Sequence, residues 1–514
     1  MDAGSLLRQA VALHQQGRLV QARERYRQVL ALDPRQFDAL HLSGVIERQR
    51  GNPAQAVDLI RQALALDPQQ ARAHCNLGAA LQDLGQAEAA LHSVETALRL
   101  DPRYALAWNN RGNTLRRLGR LPEALDSYER ALALSANYPE AWCHRAIVLN
   151  DLGRHGDAAA SAEQALAARP GYTDALQALG NALQALDRFA QAVDAYDAAL
   201  KDATPARQAE IWCARGAALK KSGDLSRALD SYEHALRLRP EYAMAEHYRA
   251  NALRALGRRE EAIAAYHRAR DLGADPAGVD FALAALGEGE LPSSAPAGYV
   301  KGLFDQYAGH FDRHLVGVLG YRTPELLNAL LLRHLPAGRP LPCFDAVLDL
   351  GCGTGLCGPY LRTLARRLVG VDLSEKMLDN ARTLGLYDEL AAADITSYLE
   401  HAGQCFELVL AADVFVYFGE LARVFAGIRR VLPAGGLFAC SVEAMEGAAQ
   451  SSAGYAITPS NRFVHSLAYI DEVAAAAGFT VEETSAAVLR SEHGKDVAGH
   501  LVLMRAVLTY VKER

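Results

Sequence analysis

The chain has no run of eighteen apolar residues, so no segment reads as a membrane-spanning helix. It has no Cys-x-x-Cys pair. Its eight cysteines are scattered, and Cys352 and Cys357, five apart, lack His/Cys partners at zinc spacing. Neither a structural metal nor a dithiol redox motif is expected, and reduced cytosolic thiols are the plain reading. The opening MDAGSLLRQAVALHQQG lacks the basic and apolar regions of a secretion signal, so a cytoplasmic location is expected. Positive charge is also in deficit: 54 Lys and Arg stand against 60 Asp and Glu, a net charge of −6. That balance gives no broad basic surface, and nucleic acid is not an expected partner. Aromatic residues make up only 7%, yet apolar residues reach 50% and charged residues 22%, ordinary for globular protein. With 514 residues, two or three domains are expected.

What is present falls into two grammars. The first 280 residues repeat. Pro34, Pro68 and Pro102 are 34 apart, Ala136 stands in the next slot, and Pro170 resumes the count. Each period carries a small residue ahead of a turn glycine, as in Gly78…Gly85 and Gly112…Gly119, with Gly180…Asp187 as a variant. Alanine recurs in the second half of the period (Ala56, Ala90, Ala124, Ala158), and large residues hold other slots (Trp108, Trp142, Trp212; Tyr128, Tyr196, Tyr232). This pattern resembles the tetratricopeptide repeat, about eight helix-turn-helix units over residues 3–280. The resemblance implies an all-α superhelix with a concave groove that binds a protein or peptide. Groove positions implied this way include Asn113, Arg116, Asn150, Asn181, Lys220 and Arg254; amides suit a peptide backbone and cations suit an acidic partner. A Gly/Pro/Ser-rich stretch then marks a linker over residues 281–298.

Residues 299–514 read as one α/β domain. Val347-Leu348-Asp349-Leu350 is an apolar strand, Gly351, Gly353 and Gly355 form a turn, a helix-like segment follows, and Leu368 to Val371 is a second strand ending in Asp372. Glycines allow close approach of backbone to ligand, and an acid about twenty residues on suits a ribose diol. Gly353-x-Gly355-x-x-Gly358 alone leaves a dinucleotide open. Asp349 inside the first strand gives D-x-G-x-G-x-G, and an acid there can meet a positively charged amino-acid end. Here the chain resembles the class I S-adenosylmethionine-dependent methyltransferases. The resemblance implies a Rossmann-like seven-stranded sheet with an antiparallel last hairpin, and S-adenosylmethionine as cofactor. It implies cofactor contacts from Asp349, Gly351, Gly353, Gly355, Asp372, Leu373, Met377, Asp394, Ile395 and Asp413, with Ser374 capping the helix that carries Met377. The helical segment at residues 301–327 is expected to close over the cofactor, with Tyr307 and Phe311 touching ligand. Joined to the repeats, the whole resembles the bacterial predicted methyltransferases fused to tetratricopeptide repeats.

The Asp413-Val414-Phe415-Val416 stretch lacks the [DN]-P-P-[YF] signature of amino-group methylation on bases or glutamine. An O or N acceptor needs its proton removed, and His465, Tyr417 and His310 are the candidate bases, His465 foremost. Three readings follow: a methyltransferase whose groove recruits a protein or carrier-borne substrate, a small-molecule methyltransferase whose repeats serve assembly, and a cofactor-binding scaffold without chemistry.

Overall fold

The computed structural model describes residues 2–309, 311–317, 319–335, 341–445, 452–492 and 495–507. The chain divides into two compact units, Met1–Arg258 and Arg259–Arg514. No described helix is long and apolar enough to cross a membrane.

The first unit is built from antiparallel helix pairs such as Ala105–Arg117 with Leu121–Leu134, and Pro139–Asp151 with His155–Ala168. The turn between paired helices needs a left-handed residue. Gly51, Gly85, Gly119 and Gly153 supply it at φ of 74–82°, and Asp187 takes the same conformation at φ 59°. The small residue ahead of each turn is a packing requirement. A Cβ on Gly112 would sit 2.5 Å from Tyr128 Cε1, and one on Gly180 would meet Tyr196 at the same distance. Those tyrosines are fully buried, and their hydroxyls donate to Asn113 (2.8 Å) and Asn181 (2.7 Å). Trp108 donates its indole N–H to Pro102 O, and Trp142 makes the same 2.9 Å bond to Ala136 O. The bond needs only a carbonyl, which is why alanine serves in a proline slot. Arg111, Arg145 and Arg215 lie over the Trp108, Trp142 and Trp212 rings at 5.2–5.9 Å.

Several residues expected to face a partner are engaged inside the array. Asn113 and Asn181 accept the tyrosine hydroxyls, Arg116 pairs with Asp151 at 3.3 Å, and Asn150 donates to Ala178 O at 2.9 Å. Lys220 is exposed, yet crowding and the nearby charges of Arg254 and Lys221 lower its pKa.

Among the described residues the second unit holds nine strands: β1 (Phe344–Leu350), β2 (Ala365–Asp372), β3 (Glu389–Ala392), β4 (Leu408–Ala411), β5 (Leu437–Glu443), β6 (Tyr455–Ile457), β7 (Phe463–His465), β8 (Phe479–Glu492) and β9 (Lys495–Ala506). Seven form one sheet in the order β3-β2-β1-β4-β5-β9-β8, and β6 and β7 form a ribbon. Strands β1 to β5 pair in parallel and β9 runs antiparallel to both neighbours, as the resemblance implied. Both faces of the sheet are covered. Leu348, Val369, Val409 and Phe438 join one core; Val347, Leu368, Leu408 and Leu437 join the other.

The expected 281–298 linker is part of this unit. Gly419 and Glu420 N–H both donate to Ser293 O at 2.8 Å, and Ala295 N–H donates to Tyr417 O at 2.8 Å. An extended segment has backbone groups to satisfy, and the loop after β4 satisfies these. The unit accordingly begins at Arg259 rather than at Tyr299, with the helices Arg259–Asp271 and Pro276–Ala284 included.

Replacing Gly112 by Ala should lower the stability of the repeat unit by about 1–3 kcal/mol, because Tyr128 must move. Urea denaturation followed by far-UV circular dichroism would show it as an earlier first transition; an unmoved midpoint would contradict the packing argument.

Candidate functional site

The turn after β1 is held against the end of β2. Gly351 and Cys352 N–H both donate to Val371 O, at 2.7 and 3.0 Å. Gly353 N–H donates to Asp372 Oδ2 at 3.0 Å, and Ser374 N–H donates to Asp372 Oδ1 at 2.8 Å. Burial raises the Asp372 pKa, and these N–H groups oppose the rise. Ser374 caps the helix Glu375–Thr383 by accepting from Met377 N–H, as expected, and its hydroxyl donates to Asp305 at 2.5 Å. Gly353 has φ 55°, and a Cβ there would meet nothing within 4 Å, so a bare backbone edge faces open space.

A cavity of about 970 Å³ opens at the carboxyl ends of the parallel strands. One set of lining residues comes from those ends: Gly351, Gly353, Asp372, Met377, Asp394 and Ile395. Leu373 and Asp413 line it as well. Asp394 is exposed and caps the helix Ile395–His401 through a 3.0 Å bond from Ser397 N–H. The other set comes from outside the glycine motif and includes Phe304, Leu315, Tyr321, Tyr417, Arg462 and Arg490. Tyr307 and Phe311 line the cavity, as expected of the covering segment. Among the bonds that fasten that segment are Ser374 to Asp305, Thr354 to Asp312 (2.5 Å), and Asn380 to Ala308 O (2.7 Å).

Asp349 and Gly355 do not line the cavity. Gly355 and Gly358 instead make room for one ring. Cβ atoms on Gly355, Gly358 and Gly370 would stand 3.1, 3.0 and 2.9 Å from Tyr387 carbons. Gly355 also needs its φ of 92°. Tyr387 donates its hydroxyl to Asp349 Oδ2 at 2.6 Å. Asp349 is 1% exposed, and its Oδ1 has no partner among the described residues. Burial raises its pKa to about 7, Tyr387 opposing and Asp372 adding to the rise.

The structure does not bring His465 to the cavity. It is 1% exposed, donates from Nε2 to Gly419 O at 3.2 Å, and stacks on Tyr469 with an interplanar angle of 11°. Burial lowers its pKa to about 4. A ring placed at the end of β7 in the aromatic layer is held by that layer. Tyr417 does line the cavity, but burial pushes its phenol up to about 12, so it is a proton donor near neutrality and not a base. His310 and the side chain of His314 lie outside the described residues.

A buried ionic cluster borders the cavity and was not legible in the motifs. Arg490, 3% exposed, donates to Asp413 at 3.2 Å, to Glu492 at 2.7 Å, and to Glu443. Arg462 pairs with Glu492 and stands 3.7 Å from Glu443. Asp413 has φ 53°, and its Oδ1 accepts from Ser441 at 2.8 Å. Burial raises its pKa, and Arg490 and Ser441 limit the rise. A cation directly after two apolar residues of a strand, as in Val488-Leu489-Arg490, was the available signal.

Comparison with known proteins bears on this geometry. A family described as a methyltransferase domain matches residues 348–440. Families described as tetratricopeptide repeats match residues 5–35, 44–85, 75–141, 127–173, 145–208 and 209–242. A malonyl-[acyl-carrier protein] O-methyltransferase from Salmonella typhimurium is 31% identical over 140 residues, covering 27% of this chain and 51% of that protein. A ubiquinone biosynthesis O-methyltransferase from Thiobacillus denitrificans is 32% identical over 117 residues, 21% of this chain and 49% of that protein. An 18S rRNA (guanine-N(7))-methyltransferase from Bos taurus is 55% identical over 54 residues, 10% of this chain and 18% of that protein. The chain spans about half the length, or less, of these curated relatives. The polypeptide thus joins an array of tetratricopeptide repeats to a methyltransferase domain.

Proposed function

We propose that the second unit binds S-adenosylmethionine and transfers its methyl group to an oxygen or nitrogen acceptor that the repeats recruit. The observation that carries this reading is the cavity where Gly353, Asp372 and Asp394 meet at the strand ends. The residues present fit the cofactor. Open space beside Gly353 admits a ligand against bare backbone, and Asp349 keeps a buried carboxylate oxygen without a partner among the described residues. When bound, S-adenosylmethionine supplies an electrophilic methyl group on a sulfonium.

The chain's own residues do the rest. Asp372 uses two oxygen positions for Gly353 and Ser374, and a carboxylate has capacity left for a ribose diol. Asp394 stands at the cavity edge for an adenine amino group, with Leu373, Met377 and Ile395 as its apolar flanks. Asp349 balances the cationic amino-acid end. Tyr417 donates toward the acceptor. Asp413 receives the acceptor's proton, its two oxygens fixed by Ser441 and Arg490. The relatives named O-methyltransferases favour oxygen as the acceptor atom.

Replacing Asp372 by Ala should weaken S-adenosylmethionine binding about ten- to a hundredfold, since charged hydrogen bonds are lost. Isothermal titration calorimetry tests this, and unchanged affinity would overturn the cofactor assignment. Labelled methyl transfer from the full chain into fractionated lysate should place label in protein or carrier-borne material. Lys220→Glu with Lys221→Glu should reduce that label while cofactor affinity stays intact. Undiminished labelling would overturn recruitment by the repeats and leave them to assembly.

The burial of His465 gives the second unit a pH-dependent stability. Its folded pKa of about 4 lies below the unfolded value of 6.5, so the unfolded chain binds more protons in that window. Stability of the second unit should therefore be complete above about pH 6.5 and fall by roughly 3 kcal/mol toward pH 4 on this account. His465→Asn should flatten that slope and leave S-adenosylmethionine affinity unchanged. A variant that keeps its stability but loses labelling activity would return His465 to the reaction.

A further inference from the structure

Tyr387 is a residue that neither the motif nor the cavity lining points to, yet three glycines are spent on it. Gly355, Gly358 and Gly370 come from the turn, the following helix and β2, and a Cβ on each would stand 2.9–3.1 Å from a Tyr387 ring carbon, with Leu384 and Leu390 also crowding Gly355 and Gly370. The socket delivers the hydroxyl to Asp349 Oδ2 at 2.6 Å. Tyr387 stays protonated, because burial and the Asp349 charge both raise its pKa, so it is the donor in this bond. The other carboxylate oxygen, Oδ1, is buried and has no partner among the described residues.

A buried carboxylate with one oxygen held and one left over is incomplete without a further donor. The groups around it supply none. Asp372 at the end of β2 carries like charge, and the Cys352 and Cys357 thiols, whose pKa values burial raises, are neutral. Cys352, Cys357 and Asp372, which share its electrostatic surroundings, all line the cavity. What is missing is a cation.

We propose that Tyr387 is a positioning residue for the methyl donor: it holds one oxygen of Asp349 so that the other completes its coordination with the ammonium of the donor's amino-acid arm. The proposal rests on the methyl-donor reading and adds a residue that does not itself touch the ligand. It also assigns the second and third glycines of Gly353-x-Gly355-x-x-Gly358 to building this holder rather than to ligand contact.

The consequence is a pH dependence of binding with an assigned origin. Burial pushes the Asp349 pKa up to about 7, with Tyr387 restraining the rise and Asp372 adding to it. S-adenosylmethionine affinity should fall as pH drops through that region, because a neutral carboxyl no longer attracts the ammonium. Removing the Tyr387 hydroxyl removes the restraint, so the fall should begin at higher pH.

The test uses the full chain, isothermal titration calorimetry, and two probes. S-adenosylmethionine carries the amino-acid arm; 5′-methylthioadenosine shares the adenosine and methylthio groups but lacks it. Tyr387→Phe keeps the ring in its socket, and an unchanged thermal melt would show that the fold is kept. At pH 7 it should weaken S-adenosylmethionine about tenfold and leave 5′-methylthioadenosine unaffected. The low-pH limb of the S-adenosylmethionine profile should move upward, and Asp349→Asn should abolish that limb. Equal weakening of both probes, or an unmoved limb, would overturn the proposal and leave Tyr387 as packing. Failure of the wild-type chain to bind either probe would overturn the methyl-donor reading itself.

Discussion

The cavity exists because the turn after β1 is tied to the end of β2. Val371 O takes two N–H groups from that turn and the Asp372 carboxylate takes a third. Without these bonds the glycine-rich backbone would have no fixed course, since glycine loses more conformational freedom on ordering than any other residue. The same carboxylate also holds Ser374, which caps the next helix and anchors Asp305 of the covering segment. One acid thus sets the floor of the cavity and the start of its adjoining helix, and through Ser374 it reaches the cover.

Much of this was visible in the sequence because it is local. The 34-residue period announces paired helices, and the acids Asp349, Asp372, Asp394 and Asp413 mark the ends of successive strands or the residues just beyond them. What was not visible depends on residues far apart in the chain. Gly355 and Gly358 read as ligand glycines, but the ring they accommodate comes from Tyr387, about thirty residues later. His465 reads as a base by its chemistry, and only the stacked Tyr469 and the Gly419 carbonyl show that it is structural. Asn113 and Asn181 read as groove amides, whereas the tyrosine hydroxyls of the paired helices already use them. The segment at 281–298 reads as a linker by composition, and composition does not reveal a backbone partner such as the loop at 417–420.

The ionic cluster at Arg490 shows the same limit from the energetic side. Three carboxylates (Asp413, Glu443, Glu492) surround two guanidiniums (Arg462, Arg490) beside an otherwise apolar cavity wall. Desolvating five charges costs several kcal/mol each, and pairing offsets that cost only when the geometry is good. Such a cluster is poor evidence of added stability. It does fix where Asp413 points, and it rigidifies the wall opposite the glycine turn. Its members come from the loop after β4, from β5, from the turn between β6 and β7, and from β8, so no contiguous motif could have announced it.

The strap at Ser293–Ala295 alters how likeness to other proteins should be weighed. The matched methyltransferase segment stops at residues 348–440, while the cavity takes walls from Ser294 through Pro324 and again from Arg462 through Glu492. Those outer stretches lie outside the matched family segment, so the cavity is a product of three separate stretches of chain, and a change in either flank would reshape its wall while leaving the turn at Gly351 in place.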